Sequence, residues 1–202
     1  SLETAMKDDQ MIFLVAQKDL ADNDPTGERI YRVGVVAKIK QIIRRSDEGI
    51  RLFAEGVYRA KIVSVVHEEP FFLLNLARTD TRPYRRTRRT EALVRHTQNL
   101  FQQYIQNYSH IPPDIVIGVV QKRDCGEMAD YIASNIMFDY EEKQAVLEEL
   151  HPVRRLEKLA AILQKEIQIL SIESQINEKA KEQIDQNQRE YFLREQMRAI
   201  SD

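Results

Sequence analysis

The last fifty residues of the chain, after Pro152, contain neither glycine nor proline. Nothing there interrupts an α-helix, and one helix through all of them would be roughly 75 Å long at about 1.5 Å per residue. A rod of that length exceeds what a small core can cover, so part of it must stand exposed or meet something else. Its first half carries a firm apolar stripe at Leu156, Leu159 or Ala160, Leu163, Ile167 and Leu170, enough to pack on a neighbouring bundle. Between residues 173 and 190 only Ile176, Ala180 and Ile184 are apolar, each four apart on a charged, amide-rich cylinder. That pattern is too sparse for a strong autonomous coiled coil. Apolar residues return at Tyr191, Phe192, Leu193, Met197 and Ile200, which reads as an exposed spacer with an adhesive distal end.

The first third has a different period. Residues 11–15 form an apolar run of strand length, followed by the turn-rich stretch 22–27. Residues 33–45 alternate imperfectly, residues 46–49 read as a hairpin connection, and Ile50, Leu52 and Ala54 alternate with Arg51, Phe53 and Glu55. Gly56 reads as a bulge or bend. A further strand is expected through Ala60, Ile62, Val65 and Val66, then a turn at Glu69-Pro70 and a last strand over 71–77. Five strand candidates and a short leading helix predict a small, mostly antiparallel sheet or partly closed barrel. A unit of that size is marginal alone. With an edge left open it is expected to associate with a second copy.

The middle of the chain is helical. Leu93, Leu100, Phe101, Tyr104, Ile105 and Tyr108 recur at three and four. Pro112-Pro113 opens a second helix buried through Ile115, Val116, Val119 and Val120. Asp124 with Glu127, and Asp139 with Glu142, have capping-box spacing and open two more helices. Met128, Ile132, Ile136 and Met137 are core candidates. Short spacers then force a bundle of antiparallel neighbours. The fold class is α+β: a sheet lobe at 1–80, an arginine-rich linker at 81–89, a helical lobe at 90–150 and the long helix at 151–202.

The linker region concentrates Arg78, Arg82, Arg85, Arg86, Arg88 and Arg89 against Asp80 alone. Three readings fit: a solvated crossing between lobes, a contact for an acidic protein surface, or a nucleic-acid patch. The formal net charge of -2 and the single nearby aromatic, Tyr84, disfavour nucleic acid. One cysteine, Cys125, cannot form an internal disulfide, and four scattered histidines give no familiar zinc spacing. Cys125 lies in a first helical turn, which could activate a thiol, but no histidine is near it in sequence. The phosphate-binding Gly-rich loop, the His-Glu-x-x-His metal motif and the nucleophile elbow are absent from the sequence. No apolar run reaches the length of a membrane span. Both ends look cut, so a larger parent polypeptide is expected.

Residues 184–200, Ile-Asp-Gln-Asn-Gln-Arg-Glu-Tyr-Phe-Leu-Arg-Glu-Gln-Met-Arg-Ala-Ile, closely resemble the long-helix signature of the bacterial Lon family of ATP-dependent serine proteases. Residues 33–39 and 55–62 are similar to two of that family's sheet motifs, and residues 142–148 to its helical lobe. The resemblance implies a PUA-like β lobe that is incomplete at its start, then a helical lobe and a helix leading to an ATPase module. It implies a cytoplasmic, hexameric parent that degrades misfolded and regulatory proteins, with this region helping substrate recognition and assembly. ATP and Mg2+, the Walker motifs and the Ser-Lys dyad would belong to modules outside this sequence. No catalytic, cofactor or metal residue carries over. Contacts to unfolded substrate or to a neighbouring subunit are expected from Phe71, Phe72, Leu74, Tyr191, Phe192, Met197 and Ile200.

Overall fold

The computed structural model describes residues 5–6, 9–45, 49–107, 111–136 and 138–201. Four strands, β1 (Met11–Leu14), β2 (Val33–Arg45), β3 (Gly49–His67) and β4 (Leu73–Arg78), form an antiparallel meander in the order β1-β2-β3-β4. Five helices follow: α1 (Arg88–Asn107), α2 (Pro113–Gln121), α3 (Cys125–Asn135), α4 (Tyr140–Glu148) and α5 (Pro152–Ser201).

The two middle strand candidates are one strand. Gly56 does not break β3; the register slips beside it, where Val36 faces Tyr58 and Ala37 faces Gly56, so Val57 is the extra residue of a bulge. The sheet is therefore an open four-stranded one, with β1 and β4 as its outer strands. Of the hairpin connection expected at 46–49, Gly49 already belongs to β3; residues 46–48 and most of the leading helix lie outside the described residues. The last strand begins at Leu73, leaving Phe71 and Phe72 in the preceding turn, where the Glu69-Pro70 bond is cis. Ile30, Val36, Ala37, Ile39, Ala60 and Ile62 are buried and make the sheet's own small core. Gly34 permits β1 to close on β2, because a Cβ there would stand 2.7 Å from the Phe13 ring and would collide with the Leu14 carbonyl.

The larger core is helical. Val94, Phe101, Tyr104, Val119, Met128, Ile132, Val146, Leu156, Leu159 and Leu163 come from all five helices and are nearly or fully buried. The 3.6-residue pattern locates these helices well, with two corrections. Val120, expected on the buried side of α2, is 56% exposed, while Val119 is buried; a nine-residue helix can turn only one stripe inward, and adjacent residues diverge by about 100°. Asp139 is the N-cap of α4 but its side chain makes no capping bond. Asp124 behaves as expected, accepting from the main-chain N–H of Gly126 at 2.8 Å and Glu127 at 3.0 Å. Met137 and Tyr108 lie outside the described residues.

Helix α5 is a single element of 50 residues. Leu156, Leu159, Ala160 and Leu163 are buried, Ile167 and Leu170 pack partly, and residues 171–194 are exposed throughout.

Sheet and bundle meet through polar groups that satisfy one another. Asp130 of α3 receives Arg59 of β3 on one carboxylate oxygen at 2.6 Å and Arg155 of α5 on the other at 2.8 Å. Arg59 also donates to the Leu147 carbonyl at 3.1 Å, and Arg155 to those of Glu149 at 2.7 Å and Leu150 at 3.3 Å. Gln144 donates to the Val33 carbonyl and Tyr140 to that of Lys18. The Arg155 side chain is 1% exposed. Burial draws its guanidinium below the ordinary value while Asp130 works in the other direction; an arginine stays charged even so. Asp130→Ala is expected to cost about 3 kcal/mol in urea denaturation, because it strands a buried cation without its carboxylate. Arg59→Met should cost less, since Arg155 then retains Asp130.

Candidate functional site

The bulge on β3 leaves a gap between the sheet and helices α3 and α4. Val35, Gly56, Val57, Tyr58 and Arg59 form one wall of a cleft of about 630 Å³, and Ala133, Ser134, Tyr140, Lys143, Gln144, Val146 and Leu147 form the other. Its volume lies within the usual range for ligand clefts. The floor is apolar, from Val35, Val57, Ala133, Val146 and Leu147, and polar groups gather at the edges. Three of those are already fixed: Arg59 to Asp130, Gln144 to the Val33 carbonyl, and Tyr140 to that of Lys18. Burial, then the charge of Glu141, pushes the Tyr140 phenol up, so it stays protonated as a donor. Lys143 is the cation left at the rim. Val57, 55% exposed at the bulge, presents apolar surface to whatever enters. Such a cleft can hold an apolar side chain or a short extended segment and orient it with a few polar contacts.

The sequence-derived contact residues stand elsewhere. Phe71, Phe72 and Leu74 are half-buried at the β3–β4 turn and on β4, and His67 meets the Phe71 ring edge-on at 5.8 Å between centroids. Tyr191, Phe192 and Met197 are 69%, 64% and 71% exposed on α5. Ile184, Asn187 and Gln188 join Tyr191 and Phe192 around a shallow hollow of about 330 Å³. The Ile200 side chain lies outside the described residues. None of these seven residues lines the interlobe cleft. The cleft residues carried one legible sign, the bulge expected at Gly56; their pairing with α3 and α4 spans some 70 to 110 positions and has no local signature.

Cys125 is a buried thiol whose pKa is pushed up by desolvation, opposed by the bond with Tyr84. It opens α3 as a structural residue. Its main-chain N–H donates to the Tyr84 hydroxyl at 2.9 Å, and that hydroxyl donates to Asp124 at 2.9 Å. Among the described residues no cluster of His, Cys, Asp and Glu could hold a metal ion, and no helix is long and apolar enough to cross a membrane.

Residues 1–165 match the family model described as the ATP-dependent protease La (LON) substrate-binding domain. The chain belongs to the Lon substrate-binding domain family. It is 39% identical over 194 residues to the Lon protease of Desulforamulus reducens, covering 96% of this chain and 24% of that protein. To the Lon protease of Heliobacterium modesticaldum it is 38% identical over 200 residues, covering 99% of this chain and 24% of that one. It thus spans about a quarter of the length of these relatives. In fold it is similar to the N-terminal domain of a Mycobacterium avium complex Lon protease, with a TM-score of 0.57 at 19% identity over 76% of this chain and 90% of that one. A Lon N-terminal domain protein from Xanthomonas campestris gives 0.52 at 12% identity, over 79% of each chain. At those identities the likeness concerns the fold alone.

Asp124 ties the linker to this Lon-type helical bundle, and its titration should be visible. Burial would raise its carboxyl, but the N–H of Glu127, the Tyr84 hydroxyl and the N–H of Gly126 outweigh that and hold it below the ordinary 3.8. A depressed carboxyl stabilises the fold above its unfolded pKa and loses that contribution as pH falls through the folded value. Asp124→Ala should therefore cost about 1 kcal/mol at neutral pH, with the gap to the parent closing below about pH 4. Denaturation midpoints measured across a pH series check this.

Proposed function

We propose that the chain is the polypeptide-recognising region of a Lon-type protease, and that it holds apolar segments of unfolded or misfolded proteins in the cleft between β3 and helices α3 and α4. The cleft itself carries this reading: an apolar floor, Lys143 at its rim without an ion-pair partner among the described residues, and an Arg59–Asp130–Arg155 network bracing one side. Membership of a family of substrate-binding domains supports it. The chain then breaks no bond itself. On the same reading, bond cleavage, ATP and Mg2+ belong to ATPase and protease modules of a cytoplasmic hexamer, and α5 is the arm that leads toward them. The division into a sheet lobe, an arginine linker, a helical lobe and a long helix would be the division of labour. Phe71, Phe72 and Leu74 at the outer strand, and Tyr191, Phe192, Met197 and Ile200 on the arm, are then secondary contacts to substrate or to another subunit. The open outer strand favours pairing with a second copy.

A second reading is a spacer that only positions other modules, and the wholly exposed surface of α5 over 171–194 favours it. Titration with a labelled, permanently unfolded protein separates the two. Val57→Asp and Ala133→Asp together should weaken binding by about tenfold or more, since a charge would enter an apolar floor, with the melting temperature little changed. Unchanged affinity would leave the spacer reading standing.

A further inference from the structure

The arginine run acquires a shape in three dimensions that its sequence does not display. Arg86 and Arg88 come from the linker and the first turn of α1, Arg95 from two turns further along, and Arg123 from the α2–α3 connection. The four surround one cavity of about 620 Å³, together with Tyr84, Thr87, Thr90, Glu91 and Val94. Glu91, the one carboxylate on its wall among the described residues, is taken by Arg95 at 2.6 Å. Among the described residues Arg86, Arg88 and Arg123 have no ion-pair partner; Arg86 merely acts at a distance on Asp124 and Cys125. The hydroxyls of Thr87 and Thr90 satisfy each other's main-chain N–H groups at 2.9 and 3.3 Å, which fixes the start of α1 without any ligand. Three guanidinium groups without an ion-pair partner on the wall of one cavity present like charge to one another, and an anion between them would relieve that repulsion with multidentate bonds.

We propose that this cavity binds an acidic polypeptide segment, its carboxylates held by Arg86, Arg88 and Arg123. The chemistry favours a peptide over nucleic acid. Tyr84 is the one aromatic group at the wall, and it cannot serve as a base-stacking platform because it packs on the helical core and its hydroxyl is tied to Asp124 and Cys125. Asp80 and Glu157 pair with Arg78 and Arg89 on either side, which shortens the positive stretch open to a phosphate backbone. The cavity shares no lining residue with the interlobe cleft. The inference rests on the reading of the chain as a polypeptide binder and adds a second site with a different selectivity.

The experiment is fluorescence anisotropy on the 202-residue chain with two probes, a short labelled Glu/Asp-rich peptide and a neutral apolar peptide. Arg88→Glu with Arg123→Glu should weaken the acidic probe by about tenfold or more and leave the apolar probe unchanged. The helix should survive, since a negative charge in the first turn of α1 is favoured by the helix dipole. Arg88→Lys with Arg123→Lys should retain part of the affinity, and salt should weaken the acidic probe alone. No effect of the charge reversal, or failure of the acidic probe while the apolar one binds, overturns this proposal and leaves the cleft untouched. Failure of both probes overturns the polypeptide-binding reading as well. Stronger competition by polyphosphate or an oligonucleotide of matched charge than by unlabelled acidic peptide would make the cavity a phosphate site and overturn the assignment to peptide.

Discussion

Among the described residues, Asp130 is the group through which the sheet, the bundle and the long helix all meet. Its two oxygens face two arginines from elements that share no hydrophobic core, one on β3 and one on α5. A cation buried as fully as Arg155 is tolerable only when its donors are used, and here Asp130, Glu149 and Leu150 take them. The arrangement contributes direction more than net free energy. An apolar contact between the lobes would permit sliding, whereas a carboxylate shared by two planar guanidinium groups fixes both distance and angle. The interlobe cleft inherits its width from that geometry.

A second clamp acts at the other end of the bundle. Tyr84 closes the linker onto the N-terminus of α3 by bonding at once to the Asp124 carboxylate and the Cys125 N–H. Thus the arginine-rich crossing is pinned at Tyr84 and again by the Thr87–Thr90 exchange at the start of α1, and is no free tether, even though most of its arginines are exposed. The arginine cavity exists because of this anchoring: it brings the segment at 84–95 against Arg123, which belongs to a different part of the sequence. The two clamps divide the molecule's polar work, one holding lobe to lobe and the other holding linker to lobe.

How much of this was legible depends on the range over which each feature is encoded. Helices α1 to α5 and the split of α5 into a packed and an exposed half follow from the local period of Leu156, Leu163, Ile176 and Ile184, because helix geometry is set within a few residues. The caps were half legible: Asp124 and Asp139 carry the same spacing signal, yet only Asp124 makes the bond. Strand number is not legible locally, because a glycine beside a bulge looks like a glycine between two strands; only the partner register across β2 distinguishes them. The site was least legible. Arg59 and Asp130 are separated by 71 positions, so neither the cleft nor its brace leaves a trace in neighbouring residues. The arginine run was visible as composition, but Arg123 had no sequence reason to join it. The family resemblance located the whole and could not supply these contacts.

The exposed half of α5 poses the remaining physical question, since it has no core to hold it helical. Isolated helices are marginal in water because nucleation is costly, yet here the nucleus is already paid for by the buried half, and each further residue need only propagate. The sequence suits propagation: Gln, Glu, Lys, Arg, Ala and Met lose little in a helix, and Lys181 with Asp185, Asp185 with Arg189, and Glu190 with Arg194 stand four apart, each pair worth a few tenths of a kcal/mol. Such a helix can project without a partner while keeping Ile176, Ile184, Tyr191 and Phe192 in the open. Apolar groups on an otherwise soluble rod remain accessible instead of collapsing onto the bundle, because the rod's continuity keeps them beyond its reach. The rigidity that begins at Arg155 therefore has two consequences from one cause: it braces the cleft at the near end of α5 and keeps apolar side chains exposed toward the far end.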